Sequence, residues 1–355
     1  MAQRATDIDV GVVGYGVAGR VFHVPVLHAV PGLKVAAILQ RSGDSAGQAW
    51  PSVRIVRNLD DLLAIDSLRL VVIATPTPTH AELATRCLEA GRGVVLDKPF
   101  AASSAEARRI LATAERTGCL LSVFQNRRWD GDFLTVQRLL AEGAIGRPVL
   151  FESHFDRYRP TPKPGAWRER ADAGGGIFLD LGVHLIDQAV TLFGPPDAVT
   201  ADIRTERDGF VTDDAFDVEL HYPRMRAVLR STMLACDKVA RFVVHGTAGS
   251  FVKFDLDPQE ERLAAGGPWL PAMGFDPQER WGALTRPDGD GFTREPLATI
   301  PGDYRQYYEN VRDAMLGRAP LAVTPGQALD VIRIIELARE SSRQRCTLPF
   351  RPATA

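Results

Sequence analysis

The strongest constraint on the fold is an alternation of short apolar runs with helical patterns over residues 1–125. Nearly every position in these runs is apolar and many are β-branched, as in strands that helices cover on both faces. The predicted strands are Val10–Val13, Leu33–Leu39, Leu70–Ala74, Gly93–Leu96 and Leu120–Phe124. Helical patterns such as Ala81–Ala90 and Ala105–Thr117 separate them. Strands and helices that alternate in this way form βαβ units, so we predict an α/β domain with a doubly wound parallel sheet.

Beyond residue 125 the pattern changes to longer segments in which apolar and polar residues alternate. This period of two is typical of antiparallel strands with one covered face. Strands are predicted at Pro148–Tyr158, Ala198–Arg204, Asp217–Tyr222, Ala227–Leu234 and Val239–His245, and helices at Asp132–Glu142, Phe178–Leu192, Tyr304–Leu316 and Pro325–Ser342. Pro and Gly are concentrated in Gly266–Gly291, which we predict to be a loop. We therefore expect a second, α+β domain over residues 126–355, with its last helices either inside that domain or packed back on the first.

Length, charge and cysteine usage limit the classes of function. A chain of 355 residues exceeds the size at which a single core usually stops growing, which favours two domains. The formal net charge is −2, so no basic excess is offered to nucleic acid or to an anionic membrane, and we expect neither partner. No stretch approaches the roughly 20 apolar residues that span a bilayer, and the first residues lack the apolar run of a signal peptide. Scattered cysteines without a C-x-x-C pair are typical of reduced thiols, so we expect a soluble cytoplasmic protein.

A glycine motif, Gly14-x-Gly16-x-x-Gly19, follows the first predicted strand and begins a helical stretch. In a dinucleotide-binding Rossmann unit the first glycine permits a tight turn, the second lets the backbone approach a pyrophosphate, and the third lets helix and strand pack closely. Cofactor contacts are predicted from the whole segment, namely Gly14, Tyr15, Gly16, Val17, Ala18 and Gly19. The alternative is a glycine-rich turn without a ligand. Pro25 cannot continue the first helix and predicts a break near residues 23–24.

The residues after the second predicted strand indicate the type of cofactor. NAD-specific sites place an acidic residue there, about 20 residues beyond the glycine motif, to bind the ribose 2′-hydroxyl. Here the strand continues into Gln40-Arg41-Ser42, and the nearest acid, Asp44, lies further into the loop. A guanidinium can pair with a 2′-phosphate and stack on adenine. We therefore predict that Arg41 and Ser42 contact NADP(H) rather than NAD(H).

Two further loops leave the carboxyl ends of predicted parallel strands, where open α/β sheets bind ligands. The first contributes predicted cofactor contacts at Ala74, Thr75, Pro76, Thr77 and His80. The second carries Asp97-Lys98-Pro99, and we predict that Asp97 and Lys98 also lie beside the cofactor. A lysine at this edge can hold a substrate oxygen or, where burial lowers its pKa, take part in proton transfer. Taken alone, Lys98 would be interpreted as an exposed loop lysine.

A third cluster reads Gly174-Gly175-Gly176-x-x-x-Asp180-x-Gly182-x-His184. Residues four apart project from one face of an α-helix, so Asp180 and His184 are predicted to lie side by side, with the glycines leaving room for a ligand. An imidazole, with an ordinary pKa of about 6.5, suits a general base that removes an alcohol proton, and Asp180 can orient it or hold a second hydroxyl. The alternative is a core histidine satisfied by a neighbouring acid. Metal ligation by Asp180, His184 and Asp187 is disfavoured, and we expect no metal.

Together these clusters resemble the glucose–fructose oxidoreductase, inositol dehydrogenase and rhizopine-catabolism family (Gfo/Idh/MocA) over nearly the whole chain. The resemblance rests on the order and spacing of the glycine motif, the Thr75–His80 loop, the acidic-Lys-Pro tripeptide and the Gly-Gly-Gly…Asp-x-Gly-x-His segment. It implies an N-terminal Rossmann domain, a C-terminal domain with a large open antiparallel sheet, and a homo-oligomer, dimer or tetramer. It also implies that Lys98, Asp180 and His184 are catalytic. Asp97 stands where the family usually has Glu, which leaves the contacts near the nicotinamide ribose open.

Further motifs resemble one subgroup, the NADP-dependent scyllo-inositol dehydrogenases and their relatives. They are Phe22-His23-x-Pro25-x-Leu27, Gln125–Asp130, Gly249–Phe251, Leu256–Glu260 and Pro301–Tyr304. The implied reaction transfers a hydride between NADP(H) and a secondary hydroxyl or ketone of a cyclic polyol or sugar, with His184 accepting the hydroxyl proton and Lys98 holding the same oxygen. Candidate substrate residues flank the three clusters and are Arg127, His154, Asp156, Arg157, Trp167 and Arg168. Two other interpretations stay open, a redox-neutral nicotinamide-dependent glycosidase and a non-catalytic dinucleotide-binding regulator.

Overall fold

The computed structural model describes residues 7–161, 175–267 and 269–351, and the chain divides into two compact units. Unit 1 consists of Met1–Trp129, Gln259–Met273 and Asp303–Leu329, and unit 2 of Asp130–Pro258, Gly274–Gly302 and Asp330–Ala355. The boundary predicted at residue 125 lies near the end of the first segment of unit 1, and two later segments also belong to that unit. No helix in the described part of the chain is long and apolar enough to cross a membrane.

Strands and helices alternate through the described residues. In chain order the strands are β1 (Ile8–Val13), β2 (Leu33–Leu39), β3 (Arg54–Val56), β4 (Leu68–Ile73), β5 (Gly93–Leu96), β6 (Leu121–Val123), β7 (Pro148–His154), β8 (Ala198–Arg204), β9 (Ala215–Tyr222), β10 (Met225–Thr232), β11 (Phe242–Gly246), β12 (Gly249–Lys253), β13 (Gly282–Asp288), β14 (Gly291–Leu297) and β15 (Leu348–Pro349). The α-helices are α1 (Val24–His28), α2 (Ser45–Ala49), α3 (Leu59–Leu63), α4 (His80–Glu89), α5 (Ser104–Thr117), α6 (Gly131–Ala141), α7 (Val183–Phe193), α8 (Gln259–Ala264), α9 (Arg305–Met315) and α10 (Pro325–Gln344). π-helical turns lie at Ala18–His23 and Phe178–Gly182, and 3-10 turns at Thr77–Thr79, Asn126–Trp129 and Gln278–Arg280.

The described strands of unit 1 form a parallel sheet in the order β3-β2-β1-β4-β5-β6. The direction of winding reverses between β1 and β4, which is the switch point where doubly wound sheets bind ligands. Val10, Val12 and Val95 have no exposed surface, as expected for strands covered on both faces. The predicted Rossmann sheet is therefore confirmed. Strand β3 is missing from the predicted strands because Arg54-Ile55-Val56 is too short to show a periodicity.

The first helix of unit 1 changes type along its length. It is π-helical over Ala18–His23 and α-helical over Val24–His28, with Pro25 in the first turn of α1. Proline is tolerated at that position, whereas in a helix interior its missing amide proton removes a hydrogen bond. The break predicted near residues 23–24 is therefore wrong, since the helix continues there and only changes from π to α. His23, the last π-helical residue, is fully buried.

Side-chain caps stabilise the starts of two helices. Ser103 Oγ accepts a hydrogen bond from the amide of Glu106 at 3.2 Å, and Thr324 Oγ1 accepts one from Gln327 at 3.3 Å. Each satisfies an amide that has no partner within the first helical turn. Caps of this kind are local, which is why the sequence alone locates the starts of α5 and α10.

The described strands of unit 2 form a mixed sheet in the order β14-β13-β12-β11-β7-β10-β9-β8-β15. Neighbours pair antiparallel except β7 and β10, which run parallel. The large second sheet is therefore confirmed, with one parallel pair that a period of two does not reveal. Phe151, Phe216 and Phe242 from its strands are fully buried and form part of the core of this unit.

The prediction that Gly266–Gly291 is a loop is wrong in its C-terminal part. There β13 begins at Gly282 and pairs with β14 as an antiparallel hairpin at the end of the sheet. Most β14 residues are exposed, and Phe292 is 78% exposed. A hairpin that buries so little shows no alternation of apolar and polar residues, so the sequence gives no strand signal.

Candidate active site

The turn between β1 and the first helix uses its three glycines differently. Gly14 has a φ of 101°, and a Cβ there would lie 2.8 Å from the carbonyl oxygen of Ala74. A Cβ at Gly19 would overlap the carbonyl oxygen of Gly14. At Gly16 no atom lies within 4 Å of the direction a Cβ would take, so the backbone borders open space. Two glycines build the turn and the third leaves room for a ligand, an arrangement that fits the pyrophosphate of a dinucleotide.

A cavity of about 600 Å³ lies beside this turn, within unit 1. Its volume is in the range of small-molecule and cofactor sites. Eight of the predicted cofactor contacts line it, namely Gly14, Tyr15, Gly16, Arg41, Ser42, Ala74, Thr75 and Pro76. The other predicted contacts, Val17, Ala18, Gly19, Thr77, His80, Asp97 and Lys98, are not part of its lining. Arg57 and Asn58, which follow β3, also line the cavity and were missed because β3 itself was missed.

His80 is placed behind the cavity wall rather than on it. Its side chain has no exposed surface, Nε2 lies 2.9 Å from the carbonyl oxygen of Thr75, and Nδ1 lies 3.3 Å from that of Phe100. The hydroxyl groups of Thr75 and Thr79 are 2.7 Å apart. His80 therefore holds the loop after β4 in shape, and the predicted direct contact with a cofactor is replaced by this positioning role.

Lys98 lies at the carboxyl end of β5 and is partly exposed. The amide of the preceding residue, Asp97, donates to the carbonyl oxygen of Ile73 at 2.9 Å, which continues the pairing of β4 with β5. The Lys98 amide in turn donates to Asp97 Oδ1 at 2.8 Å. The sheet thus holds Asp97, and the Asp97 carboxylate accepts the amide proton of Lys98.

His23 connects the segment Asp97-Lys98-Pro99 to helix α9. Its Nδ1 lies 2.6 Å from the hydroxyl of Tyr308, and its Nε2 lies 3.8 Å from Asp97 Oδ1. Burial alone would raise the pKa of Asp97, but the imidazole of His23 beside it, together with the charges of Lys98 and His80, outweighs that effect and lowers the pKa.

Burial, with the charges of Tyr307 and Asp97, holds the pKa of Tyr308 well above its ordinary value. The Tyr308 hydroxyl therefore stays protonated and can donate a hydrogen bond to Nδ1 of His23. The ring N–H of His23 is then at Nε2, on the side of Asp97. Sequence reasoning quoted His23 only as part of a motif; Tyr308 carried no signal.

In unit 2, Asp180 and His184 lie on consecutive turns of different helical type. Asp180 belongs to the π-helical turn Phe178–Gly182 and is partly exposed, whereas His184 is in the first turn of α7 and is 4% exposed. The prediction of one regular helix from Phe178 is therefore corrected to a π-helical turn followed by an α-helix. Within residues 7–161, 175–267 and 269–351, no group of His, Cys, Asp and Glu side chains is arranged to hold a metal ion.

The glycines of this segment are filled by the protein rather than left open. A Cβ at Gly176, whose φ is 116°, would overlap the carboxylate of Asp213, and one at Gly182 would lie 2.6 Å from the ring of Phe178. The prediction that these glycines leave room for a ligand is therefore wrong at both positions. Gly174 lies outside the described residues.

Asp213 is a positioning residue that sequence reasoning missed. Its Oδ1 accepts the amide proton of Phe178 at 2.6 Å, and its carbonyl oxygen accepts that of Ile177 at 2.9 Å. Burial raises the pKa of Asp213, although the bond from Phe178 and the charge of Arg339 partly oppose that effect. The loop residue Asp213 thus fixes the start of the turn that carries Asp180.

A second cavity, of about 380 Å³, lies in unit 2 and contains three of the candidate substrate residues. They are His154, Asp156 and Arg157. His154 Nδ1 lies 3.1 Å from Asp156 Oδ2, and Asp156 Oδ1 accepts the amide proton of Thr232 at 2.9 Å. Lys238, Arg241 and Asp255 also line it, so the walls carry charges of both signs. Such a surface suits a neutral ligand with several hydroxyl groups, which can both donate and accept hydrogen bonds.

Arg127, another substrate candidate, does not line this cavity. Arg127 is buried in unit 1, where its guanidinium forms an ion pair with Glu260 of α8. Its neighbour Arg128 donates to the carbonyl oxygen of Ala322 at 2.8 Å. The ion pair with Glu260 gives Arg127 a role in the packing of unit 1. Trp167 and Arg168 lie outside the described residues.

Comparison with known proteins covers both units. Residues 8–125 match the model of an oxidoreductase family with an NAD-binding Rossmann fold, and residues 133–252 match that of the GFO/IDH/MocA C-terminal domain. YdgJ of Escherichia coli, an uncharacterized oxidoreductase, is 45% identical over 96% of this chain and 98% of its own length. The chain belongs to the Gfo/Idh/MocA oxidoreductase family.

Within the family, two further proteins are similar over almost their entire length. IolW of Bacillus subtilis, named scyllo-inositol 2-dehydrogenase (NADP(+)), is 35% identical over 98% of this chain and 97% of its own length. The structure of YPO2259 from Yersinia pestis has a TM-score of 0.94 and 44% identity, and the match covers 99% of this chain and 100% of that one. The resemblance to the family is therefore confirmed, and this member is an NAD(P)-binding oxidoreductase.

Proposed function

We propose that this protein is an NADP(H)-dependent dehydrogenase that interconverts a secondary hydroxyl and a ketone on a cyclic polyol or sugar of the inositol type. The observation that carries the proposal is the anchoring of Lys98 at the carboxyl end of β5, beside a carboxylate whose pKa is lowered. The nearly full-length likeness to IolW, whose name states such an activity, supports it.

Each residue has one task in the proposed reaction. The bound nicotinamide supplies the acceptor or donor of the hydride. Lys98 donates a hydrogen bond from Nζ to the substrate oxygen and stabilises negative charge on it as the proton leaves. An imidazole nitrogen of His184 takes that proton during oxidation and returns it during reduction, and Asp180 orients the imidazole or holds a second hydroxyl.

The cavity of unit 2 is the proposed source of contacts to further hydroxyl groups. The Asp156 carboxylate can accept a hydrogen bond, and the Arg157 guanidinium can donate one. A site that pairs substrate hydroxyls in this way discriminates strongly against analogues that lack them. We therefore expect inositols and sugars to be oxidised and simple secondary alcohols to be poor substrates.

The test is a substrate screen with matched lysine variants. The purified protein is incubated with inositols, aldoses, ketoses and glycosides in the presence of NADP or NAD, and nicotinamide absorbance is followed. We expect reduced NADP to form in proportion to product, and Lys98→Ala to lower kcat/KM by about 10³-fold, in keeping with the loss of a group that contacts transition-state charge. Lys34→Ala, at an exposed position of β2, is the control and should keep wild-type activity.

Three outcomes would contradict the proposal. Release of sugar from glycosides without net change in the cofactor would indicate a redox-neutral glycosidase. Nucleotide binding without turnover of any class of substrate, or full activity of Lys98→Ala, would remove the catalytic assignment.

We also propose a homo-oligomer, a dimer or tetramer, which light scattering of the eluting protein measures directly.

A further inference from the structure

Arg57 occupies a position in the unit-1 cavity to which no role has been assigned. It follows β3 directly, lies in the cavity lining with Arg41 and Ser42, and its side chain is 50% exposed. Arg41 and Ser42 belong to the loop between β2 and α2, residues 40–44, which contains the predicted contacts to a 2′-phosphate. Arg57 thus brings a second guanidinium to the same end of the cavity.

Two hydrogen bonds fix the guanidinium of Arg57 against that loop. Its Nη1 donates to the carbonyl oxygen of Gln40 at 2.9 Å and to that of Gly43 at 2.6 Å. Both acceptors are backbone atoms on either side of Arg41-Ser42, so Arg57 fixes the shape of the segment as well as adding a charge. A guanidinium held in this way loses little conformational entropy when it binds a further anion.

The acceptors that could compete for this guanidinium are weakly placed. Asp44 Oδ1 lies 3.9 Å from Nη2 of Arg57, which is an ion-pair contact without a hydrogen bond, and both side chains are at least half exposed. The side chain of Gln40 is directed to the start of α2, where it accepts from the amide of Ala46 at 2.9 Å and donates to Ser45 Oγ at 3.0 Å. Arg41 and Arg57 therefore bring two cationic groups to the cavity, whose lining also includes the carboxylate of Glu82, while Asp44 lies beside Arg57 outside the lining.

We propose that Arg57 is a specificity-determining residue that binds the 2′-phosphate of NADP(H) together with Arg41. A phosphate monoester carries close to two negative charges at neutral pH, so two guanidinium groups match it better than one. Asp44 acts against this binding, since its carboxylate competes for Nη2 and repels the phosphate. The inference rests on the proposed preference for NADP(H).

Equilibrium binding, without turnover, tests the proposal. The dissociation constants of NADPH, NADH, 2′-AMP and 5′-AMP are measured by calorimetry for the wild type, Arg57→Met and Arg57→Lys. We expect Arg57→Met to weaken NADPH and 2′-AMP by about 10- to 100-fold, in line with the loss of charge-assisted hydrogen bonds, while NADH and 5′-AMP change by less than about threefold. Arg57→Lys, which keeps the charge but not the planar fork, should fall between the wild type and Arg57→Met.

Two further variants serve as a control and as a converse test. Arg54→Met removes an exposed arginine of β3 that does not line the cavity and should leave all four dissociation constants unchanged. Asp44→Asn removes the opposing carboxylate and should strengthen NADPH binding by about two- to fivefold without affecting NADH, in proportion to the small energy of an exposed pair. Far-UV circular dichroism of each variant excludes unfolding as the cause of a weaker affinity.

The outcomes separate this inference from the proposed function. If the wild type prefers NADPH and Arg57→Met keeps that preference, the inference fails while the proposed cofactor stands. Equal losses of NADPH and NADH affinity would assign Arg57 to loop structure alone and also overturn it. If the wild type shows no preference for NADPH over NADH, the cofactor assignment under the proposed function fails, and the inference fails with it.

Discussion

The two glycine-rich segments of this protein look alike in sequence and differ in what surrounds them. In unit 1, the backbone at Gly16 borders open space beside a cavity of about 600 Å³. In unit 2, the space beside Gly176 is filled by Asp213 and that beside Gly182 by Phe178. A glycine motif therefore indicates close approach of another group, but the tertiary structure decides whether that group is a ligand or the protein itself.

The largest effect should come from adding a methyl group at the glycines. Gly14→Ala and Gly176→Ala each combine a positive φ with an overlap, so each should lower the free energy of unfolding by about 3 kcal/mol or more. Gly16→Ala should change the free energy of unfolding by less than about 1 kcal/mol and instead weaken nucleotide binding, because the added methyl group projects only into the open space beside the turn. Urea unfolding and nucleotide titration measure the two effects.

The double variant Gly176→Ala with Asp213→Ala sharpens that comparison. Removing the Asp213 carboxylate should recover part of the stability lost at Gly176, whereas the strain of the positive φ stays. Additive losses would mean that the two residues do not share this space. Normal nucleotide affinity of a folded Gly16→Ala protein would contradict the ligand role of the glycine motif.

A smaller effect is expected from the contacts behind Lys98. His23→Gln removes the link between Tyr308 and Asp97, and we expect kcat to fall about tenfold, with KM changing less than about threefold, because Lys98 is displaced while the proposed contacts of unit 2 to the other substrate hydroxyl groups are kept. Tyr308→Phe should cost less, since it removes only the hydroxyl that holds the imidazole. Steady-state kinetics with the preferred substrate measure both variants.

Tyr307→Phe is the matched control on the same helix. It removes a hydroxyl that donates a hydrogen bond to Ser122 Oγ at 3.0 Å rather than to His23. Tyr307→Phe should be less stable than the wild type and have the same kcat. If His23→Gln lowered stability alone and left kcat unchanged, the positioning role of His23 would be disproved.

The smallest effects concern two partly buried carboxylates, those of Asp97 and Asp213, whose pH dependences have opposite signs. The pKa of Asp97 is below its ordinary value of 3.8, so its contribution to stability is present above that value and is lost as the pH falls through the folded pKa. The pKa of Asp213 is above 3.8, so its contribution is present below that value and is lost as the pH rises through the folded pKa.

Unfolding of Asp97→Asn and Asp213→Asn from about pH 7 to pH 3 tests this difference. Asp97→Asn should be less stable than the wild type at neutral pH, and the gap should close on acidification. Asp213→Asn should equal or exceed the wild type at neutral pH by less than about 1 kcal/mol, and that gain should vanish in acid. The same sign for both variants would contradict the electrostatic contrast between the two sites.

How much could be predicted differs between elements. Strands β2 and β5 match their predicted bounds because strands that are covered on both faces over most of their length form nearly continuous apolar runs. The cap at Ser103 and the change of helix type before Pro25 are also local, since each depends on atoms a few residues apart. Strand β3 and the hairpin β13–β14 were missed because one is too short and the other too exposed to show a pattern.

The candidate site divides in the same way. The glycine motif, Lys98 and His184 were predicted as site residues from spacing, because the residue types themselves suggest the chemistry. Arg57, Tyr308 and Asp213 were not found, since each acts on residues that are distant in sequence or that belong to elements the sequence does not reveal. His80 was found and given the wrong task, because burial is not visible in the motif.

By itself, the sequence determined that unit 1 is a Rossmann domain with a glycine-rich turn after its first strand, that a second sheet follows, and which residues are candidates for the active site. These properties depend on hydrophobic periodicity and on backbone conformations that only glycine or proline satisfies. The tertiary structure alone decided which glycines face open space, which arginines face the cavity, and which carboxylates are buried beside cations. Those outcomes depend on contacts between residues far apart in the chain, and spacing along a sequence does not encode the distances that set them.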